Sequence, residues 1–261
     1  MTPEVIVTRD GALVTVALHN PGKLNALTLA MWQSLKRELQ ALSADDTVRC
    51  IVLRGSGTEA FAAGADIAEF SSVRDNAEQG RVYHREHVAG ALNALSDCRH
   101  PIVGMIQGPC VGGGLEIACQ CDLRIAGESA RFGVPINRLG FAIAYDELAA
   151  ILPVVGRAVA LELLVEGRVW DAAEAHAKGL ITRVVGDREL EERAYATART
   201  IAAGAPLVAR WHKQFVRKLT PAPVPLTGAE LDANFDYFGT EDYRIGYEAF
   251  MKKLKPKFVG R

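Results

Sequence analysis

Three glycines followed by a leucine and a glutamate, Gly112-Gly113-Gly114-Leu115-Glu116, are the sharpest chemical feature of this chain. Glycines just ahead of a helix let backbone N–H groups approach a ligand with no side chain in the way. The helix N-terminus adds partial positive charge at the same place. Such donors suit an oxygen that gains negative charge during a reaction. Glu116 falls in the first helical turn, where the helix end pulls its pKa down and burial pushes it up. The bland alternative is a loop that only turns the chain, with Glu116 an ordinary first-turn acid. A second run of small residues, Phe61-Ala62-Ala63-Gly64-Ala65-Asp66-Ile67, also permits close backbone approach. Asp66 is placed to cap a following helical turn; taken by itself, the run is a tight strand-to-helix connection.

Metal chemistry finds little support. Cys119 and Cys121, if helical, point to different faces. His84 and His87 share a face, but no other ligand pair accompanies them. They read as surface or internally satisfied histidines, and no metal site is expected.

The elements that must position these groups follow from hydrophobic period and punctuation. Val5–Thr8 and Leu13–His19 are strands around an Asp10-Gly11 turn. Thr28 caps a helix carrying Trp32, Leu35, Leu39 and Leu42 on one face. Arg49–Leu53 is a buried-type strand ending at Gly55, and a long polar helix runs from about Asn76 to Leu95. Ile102–Ile106 is a strand, Leu115–Cys119 an apolar helix and Leu123–Ala126 a further strand. From Ala144 onward the chain reads as helix, with one short strand at Ile181–Val185. Ala172–Lys178 ends at Gly179, and Leu190–Ala203 and Leu207–Leu219 are amphipathic. Val208, Trp211, Phe215 and Leu219 form the stripe of the second. Pro221, Pro223 and Pro225 make a stiff connector. A final helix, about Glu241–Leu254, aligns Tyr243, Tyr247, Phe250 and Leu254. The expected architecture is an α/β core over 1–220 and a helical segment over 221–261.

Taken together, the motifs resemble the enoyl-CoA hydratase/isomerase (crotonase) family. The resemblance rests on Asn20-Pro21, Leu24-Asn25-Ala26-Leu27, Phe61–Ile67, Val111–Glu116, Cys121-Asp122 and Ala130-Arg131-Phe132. It continues through Glu241-Asp242-Tyr243, Gly246, Ala249-Phe250, Lys255-Pro256 and Phe258, so it spans nearly the whole chain in order. It implies a crotonase-like ββα-spiral core assembled as a homotrimer or homohexamer. It also implies an acyl-CoA thioester as substrate, with no other cofactor. Two backbone N–H groups, mapped to Ala65 and Gly113, would hold the thioester carbonyl, with Glu116 transferring a proton. The CoA path would involve Lys23, Leu24, Ala63, Asp66 and Ile67, with Phe250 and Lys253 from the basic tail that ends at Arg261.

One position departs from the pattern. The resemblance puts a second glutamate after Pro135, and this chain has Ile136, which cannot transfer a proton. Tyr145, Asp146 or Glu147 could enter the pocket instead, although Asp146 and Glu147 fit an exposed helix start as well. Asn137 could orient a water. The leading expectation is enoyl-CoA hydration. Isomerisation or decarboxylation with a single glutamate stands beside it, and a non-catalytic acyl-CoA- or RNA-binding relative is the rival. A serine protease of related fold lacks a convincing Ser–His–Asp set.

Composition narrows the setting. A formal net charge of -1 and 49% hydrophobic residues argue for a globular protein and against a broad nucleic-acid surface. No basic, apolar leader opens the chain, and no uncharged run approaches the roughly 20 residues of a membrane span. Five cysteines form no disulfide framework, so a cytoplasmic protein with free thiols is expected.

Overall fold

The computed structural model describes residues 2–220, 227–233 and 235–257. In chain order the strands are β1 (Glu4–Asp10), β2 (Leu13–His19), β3 (Cys50–Gly55), β4 (Ile102–Ile106), β5 (Pro109–Val111), β6 (Leu123–Gly127), β7 (Arg131–Gly133), β8 (Trp170–Asp171) and β9 (Arg183–Val185). β1 and β2 form an antiparallel hairpin, and parallel neighbours extend it in the order β1-β2-β3-β4-β6-β9. β5, β7 and β8 make a second, smaller sheet. The sequence expectation finds the large sheet but not the small one. Two- and three-residue strands among glycines and prolines carry no period to detect.

The helices are α1 (Leu29–Ala44), α2 (Phe70–Val73), α3 (Ala77–Val82), α4 (Ala89–Asp97), α5 (Gly113–Cys119), α6 (Tyr145–Glu166), α7 (Ala172–Ala177), α8 (Leu190–Ala203), α9 (Pro206–Leu219), α10 (Gly228–Ala233) and α11 (Glu241–Met251). α1 starts at Thr28, whose side chain accepts the Met31 N–H, and buries Trp32, Leu35, Leu39 and Leu42. α8 covers the opposite face of the large sheet, packing Leu190, Ala194 and Ala198 against Cys50, Val52, Val103 and Ile125. Burial on both faces explains the nearly continuous apolar runs of β3 and β4. All five cysteines are free and buried.

Three expectations need correction. The helix expected over Asn76–Leu95 is interrupted by a π-helical turn at Tyr83–Val88, between α3 and α4. The wider turn brings Tyr83 and His84 into the interior, as such turns often do at functional sites. α5 begins at Gly113, two residues before the expected start, and α11 stops at Met251. Finally, α6 is long and apolar enough to cross a membrane by length and composition. Gly156, at φ +74 and ψ 171, breaks it into two helices with a kink.

The prolines of the expected connector, and Phe258 and Arg261, lie outside the described residues. Within the described part of the C-terminal segment, α11 packs closely on the core. A Cβ on Gly246 would stand 2.5 Å from the Leu139 carbonyl.

Gly114 is the tightest contact between α5 and the loop facing it. A Cβ there would lie 2.4 Å from the Ala62 carbonyl oxygen. Gly114→Ala is therefore expected to destabilise the protein by about 1–3 kcal/mol, read as a lower Tm in a thermal melt. Gly228→Ala, whose added Cβ meets nothing within 4 Å, is expected to stay within about 0.5 kcal/mol of the parent.

Candidate active site

The two glycine-bearing bends meet. The chain from Phe61 to Ala65 runs beside β5 through a parallel bridge, Ala62 to Cys110. Ala62 N–H donates to the Pro109 carbonyl, and Val111 N–H donates to the Ala62 carbonyl. At the end of that seam Gly64 and Gly112 both take positive φ, +92 and +50. A Cβ on Gly112 would come within 3.7 Å of the Gly64 Cα. The close approach and the positive φ both favour glycine.

Among the amides this seam leaves over are those of Ala65 and Gly113. Leu27 bridges Ala65 in parallel, donating to the Gly64 carbonyl and accepting from Asp66 N–H. That ladder uses the groups on either side of Ala65, so the Ala65 N–H faces away from it. Gly113 is the first residue of α5, and a first-turn N–H has no partner within its helix. Both residues line one cavity of about 500 Å³, as does Glu116. Trp32 sets the wall behind Gly113, with its ring 2.8 Å from where a Cβ would be. The Trp32 indole N–H is held by the Tyr83 hydroxyl at 3.1 Å.

Glu116 is buried, and burial pushes its pKa well above the usual carboxylate range. The negative charge of Glu147 raises it further, while Arg74 opposes both. Glu147 belongs to the first turn of α6. The exposed helix start expected for Asp146 and Glu147 holds for Asp146 alone. Tyr145 and Asp146 point outward, whereas Glu147 is 5% exposed and lines the cavity. Glu147 Oε1 is hydrogen-bonded to His84 Nδ1, and His84 Nε2 contacts Arg74 Nη1 at 2.9 Å. A guanidinium has only protons to offer, so His84 Nε2 accepts and the imidazole proton sits on Nδ1, pointing at Glu147. The result is a buried relay of fixed polarity, Arg74 to His84 to Glu147.

The other expected residues divide into two groups. Ala63, Ile67 and Phe250 line the cavity, joined by Leu254 and by Ile136 where an acid was expected. Asp66 instead caps the turn Ile67–Glu69 through Ala68 N–H and binds Lys23 Nζ at 2.7 Å. The Lys23 ammonium is therefore already paired. Leu24 and Lys253 lie outside the cavity lining, both at positive φ. Asn137 does not face the cavity; its amide donates to the Val165 carbonyl at the end of α6. Arg74 and His84 are the site residues that sequence reasoning missed as a pair. Among the described residues no group of three or more His, Cys, Asp or Glu side chains could hold a metal ion.

The family described as enoyl-CoA hydratase/isomerase matches residues 8–261. A Rhizobium meliloti protein named "Probable enoyl-CoA hydratase" is 36% identical over 98% of both chains. An enoyl-CoA hydratase/carnithine racemase from Magnetospirillum magneticum superposes with a TM-score of 0.82 at 47% identity, covering 98% of this chain and 96% of that one. A methylmalonyl-CoA decarboxylase in complex with 2-nitronate-propionyl-CoA gives a TM-score of 0.86 at 28% identity, over 98% of both chains. The sheet order, the paired glycine bends and the full-length match agree: this chain is a crotonase-fold member of the enoyl-CoA hydratase/isomerase family.

Proposed function

We propose that the protein hydrates the double bond of a 2-enoyl-CoA thioester. The observation that carries this reading is Glu147. It puts a second carboxylate in the cavity that holds Glu116, although Ile136 occupies the expected position. Two acids with different surroundings suit a reaction that needs one proton removed and another delivered. Glu147, oriented by His84, takes a proton from water as the water oxygen adds to Cβ. The double-bond electrons move toward the thioester oxygen, held by the Ala65 and Gly113 amides. Glu116, kept protonated by burial, delivers its proton to Cα and completes the 3-hydroxyacyl-CoA. Relative to the family resemblance, Glu116 is thus the acid and Glu147 the base. Each amide donor is worth about 3–4 kcal/mol in such a site.

The pantetheine arm is proposed to pass Ala63 and Ile67 and the nucleotide to lie toward Lys23, Leu24 and Lys253. The thioester itself is the only coenzyme needed. Decarboxylation of a malonyl-type thioester is the second reading, favoured by the similarity to a decarboxylase; it needs the amide pair but no second acid. The homotrimer or homohexamer is supported by apolar surface. α9 buries no residue, and its Trp211, Phe215 and Leu219 are exposed together with Leu161 and Val165 of α6. The buried, unpaired thiols fit a reducing cytoplasm.

Assays with 2-enoyl-, 3-enoyl- and malonyl-type CoA thioesters separate the readings. Glu147→Gln is expected to lower hydration kcat by roughly 10²- to 10⁴-fold. Full hydration by that variant would overturn the role given to Glu147. Because the native state raises the pKa of Glu116, its protonated form favours folding, and that contribution is lost as pH rises through the raised value. Glu116→Gln cannot ionise, so its Tm relative to the parent should climb between acid and alkaline pH; a difference that stays flat contradicts the assignment. Light scattering should give about three or six times the 28.2 kDa chain mass. Phe215→Glu should shift that mass toward the monomer.

A further inference from the structure

Arg74 is 2% exposed and lines the cavity. Its guanidinium carbon lies 3.8 Å from the centre of the Phe70 ring and 4.6 Å from that of Phe141. Both rings also belong to the cavity wall. Nη1 is committed to His84. Nε and Nη2 are buried with no hydrogen-bond partner. The Tyr243 hydroxyl lies beside the guanidinium, but Nε and Nη2 form no hydrogen bond with it. The Tyr237 hydroxyl feels the Arg74 charge and is likewise buried without a partner.

An unpaired buried guanidinium is costly, because stacking on aromatic rings returns only part of its lost hydration. Among the described residues Arg74 forms no salt bridge, and Nη1 is bonded to an imidazole nitrogen that accepts from it. The free edge is also the informative one. Nε–H and the adjacent Nη2–H project side by side, the fork that binds both oxygens of a carboxylate. Every orphaned atom here has a proton to give, so the missing group is an acceptor, and a negatively charged one satisfies the most.

We propose that Arg74 recognises a carboxylate at the far end of the acyl chain, so that the substrate is the CoA monothioester of an unsaturated dicarboxylic acid. This rests on the cavity being the acyl pocket of the proposed hydratase. The half-buried Phe141, on the turn after Gly140, is the part of the wall that yields as the carboxylate reaches the fork.

Binding separates this inference from the hydration reading, because it needs no turnover. Calorimetry compares glutaryl-CoA with pentanoyl-CoA, and adipyl-CoA with hexanoyl-CoA, on the intact protein. The parent is expected to bind one or both dicarboxyl thioesters at least roughly 10-fold tighter than its methyl-ended partner. Arg74→Met is expected to erase that ratio, and Arg74→Lys to keep part of it. Equal binding by the parent, or a ratio that survives in Arg74→Met, overturns the proposal. The parent-only comparison holds even if Arg74→Met does not fold. If glutaconyl-CoA and 2-pentenoyl-CoA both go unhydrated while the binding ratio stands, only the hydratase reading fails. If 2-pentenoyl-CoA is hydrated and the ratio is absent, only the carboxylate inference fails.

Discussion

The close approach of two backbone bends is the constraint from which the rest of the site follows. Gly64 and Gly112 sit nearly in van der Waals contact because the Phe61–Ala65 segment is stitched to β5 by backbone hydrogen bonds. A side chain at either glycine would face a left-handed backbone angle, and on Gly112 its Cβ would project toward the other bend. The seam fixes Ala65, and the start of α5 fixes Gly113. Neither donor depends on a rotamer. In the proposed reaction such a pair costs no side-chain entropy and needs little rearrangement as charge develops on the thioester oxygen.

Around that fixed pair, the acids are placed by two successive helices, and the groups that orient them come from earlier in the chain. Glu116 rides on α5, directly behind the Gly113 amide. Glu147 comes from α6, and the group that orients it, His84, comes from the π-helical turn before α4. Arg74, just after α2, fixes the imidazole tautomer. Each of these polar groups is more than nine-tenths buried, so their mutual interactions are strong and poorly screened. Glu116 holds its proton because burial and Glu147 act in the same direction and Arg74 only partly offsets them.

The sequence made the backbone half of this legible and hid the side-chain half. Glycine runs, a capped amphipathic helix and alternating strands are local signals. They marked the glycine loop before Glu116 and the large sheet, while Ala65 and Gly113 were singled out only by the resemblance to a known family. Glu147 carried the opposite signal: an acid in the first turn of a helix fits solvent as well as a cavity. What turned it inward was His84, sixty-three residues away in sequence and on a stretch that read as polar helix. Arg74 had no local signal at all. Its position depends on stacking between Phe70 and Phe141, a contact that exists only after the C-terminal half has folded over the first. The small sheet was lost for a simpler reason, since its strands are too short to show a period.

Ile136 connects these observations. An acid at that position would have faced Glu116 from the Pro135–Leu139 turn; an isoleucine makes that side of the cavity apolar. Removing a charge there lowers the local polarity and strengthens every remaining electrostatic interaction. A second carboxylate then becomes harder to bury, and Glu147 is tolerated because a histidine donates to it and a guanidinium stands behind the histidine. The same guanidinium uses only one of its nitrogens for this purpose. A residue needed solely to hold His84 would not require a second, unpaired pair of donors beside the cavity. The unpaired edge is therefore better explained by something that enters the cavity than by the relay alone.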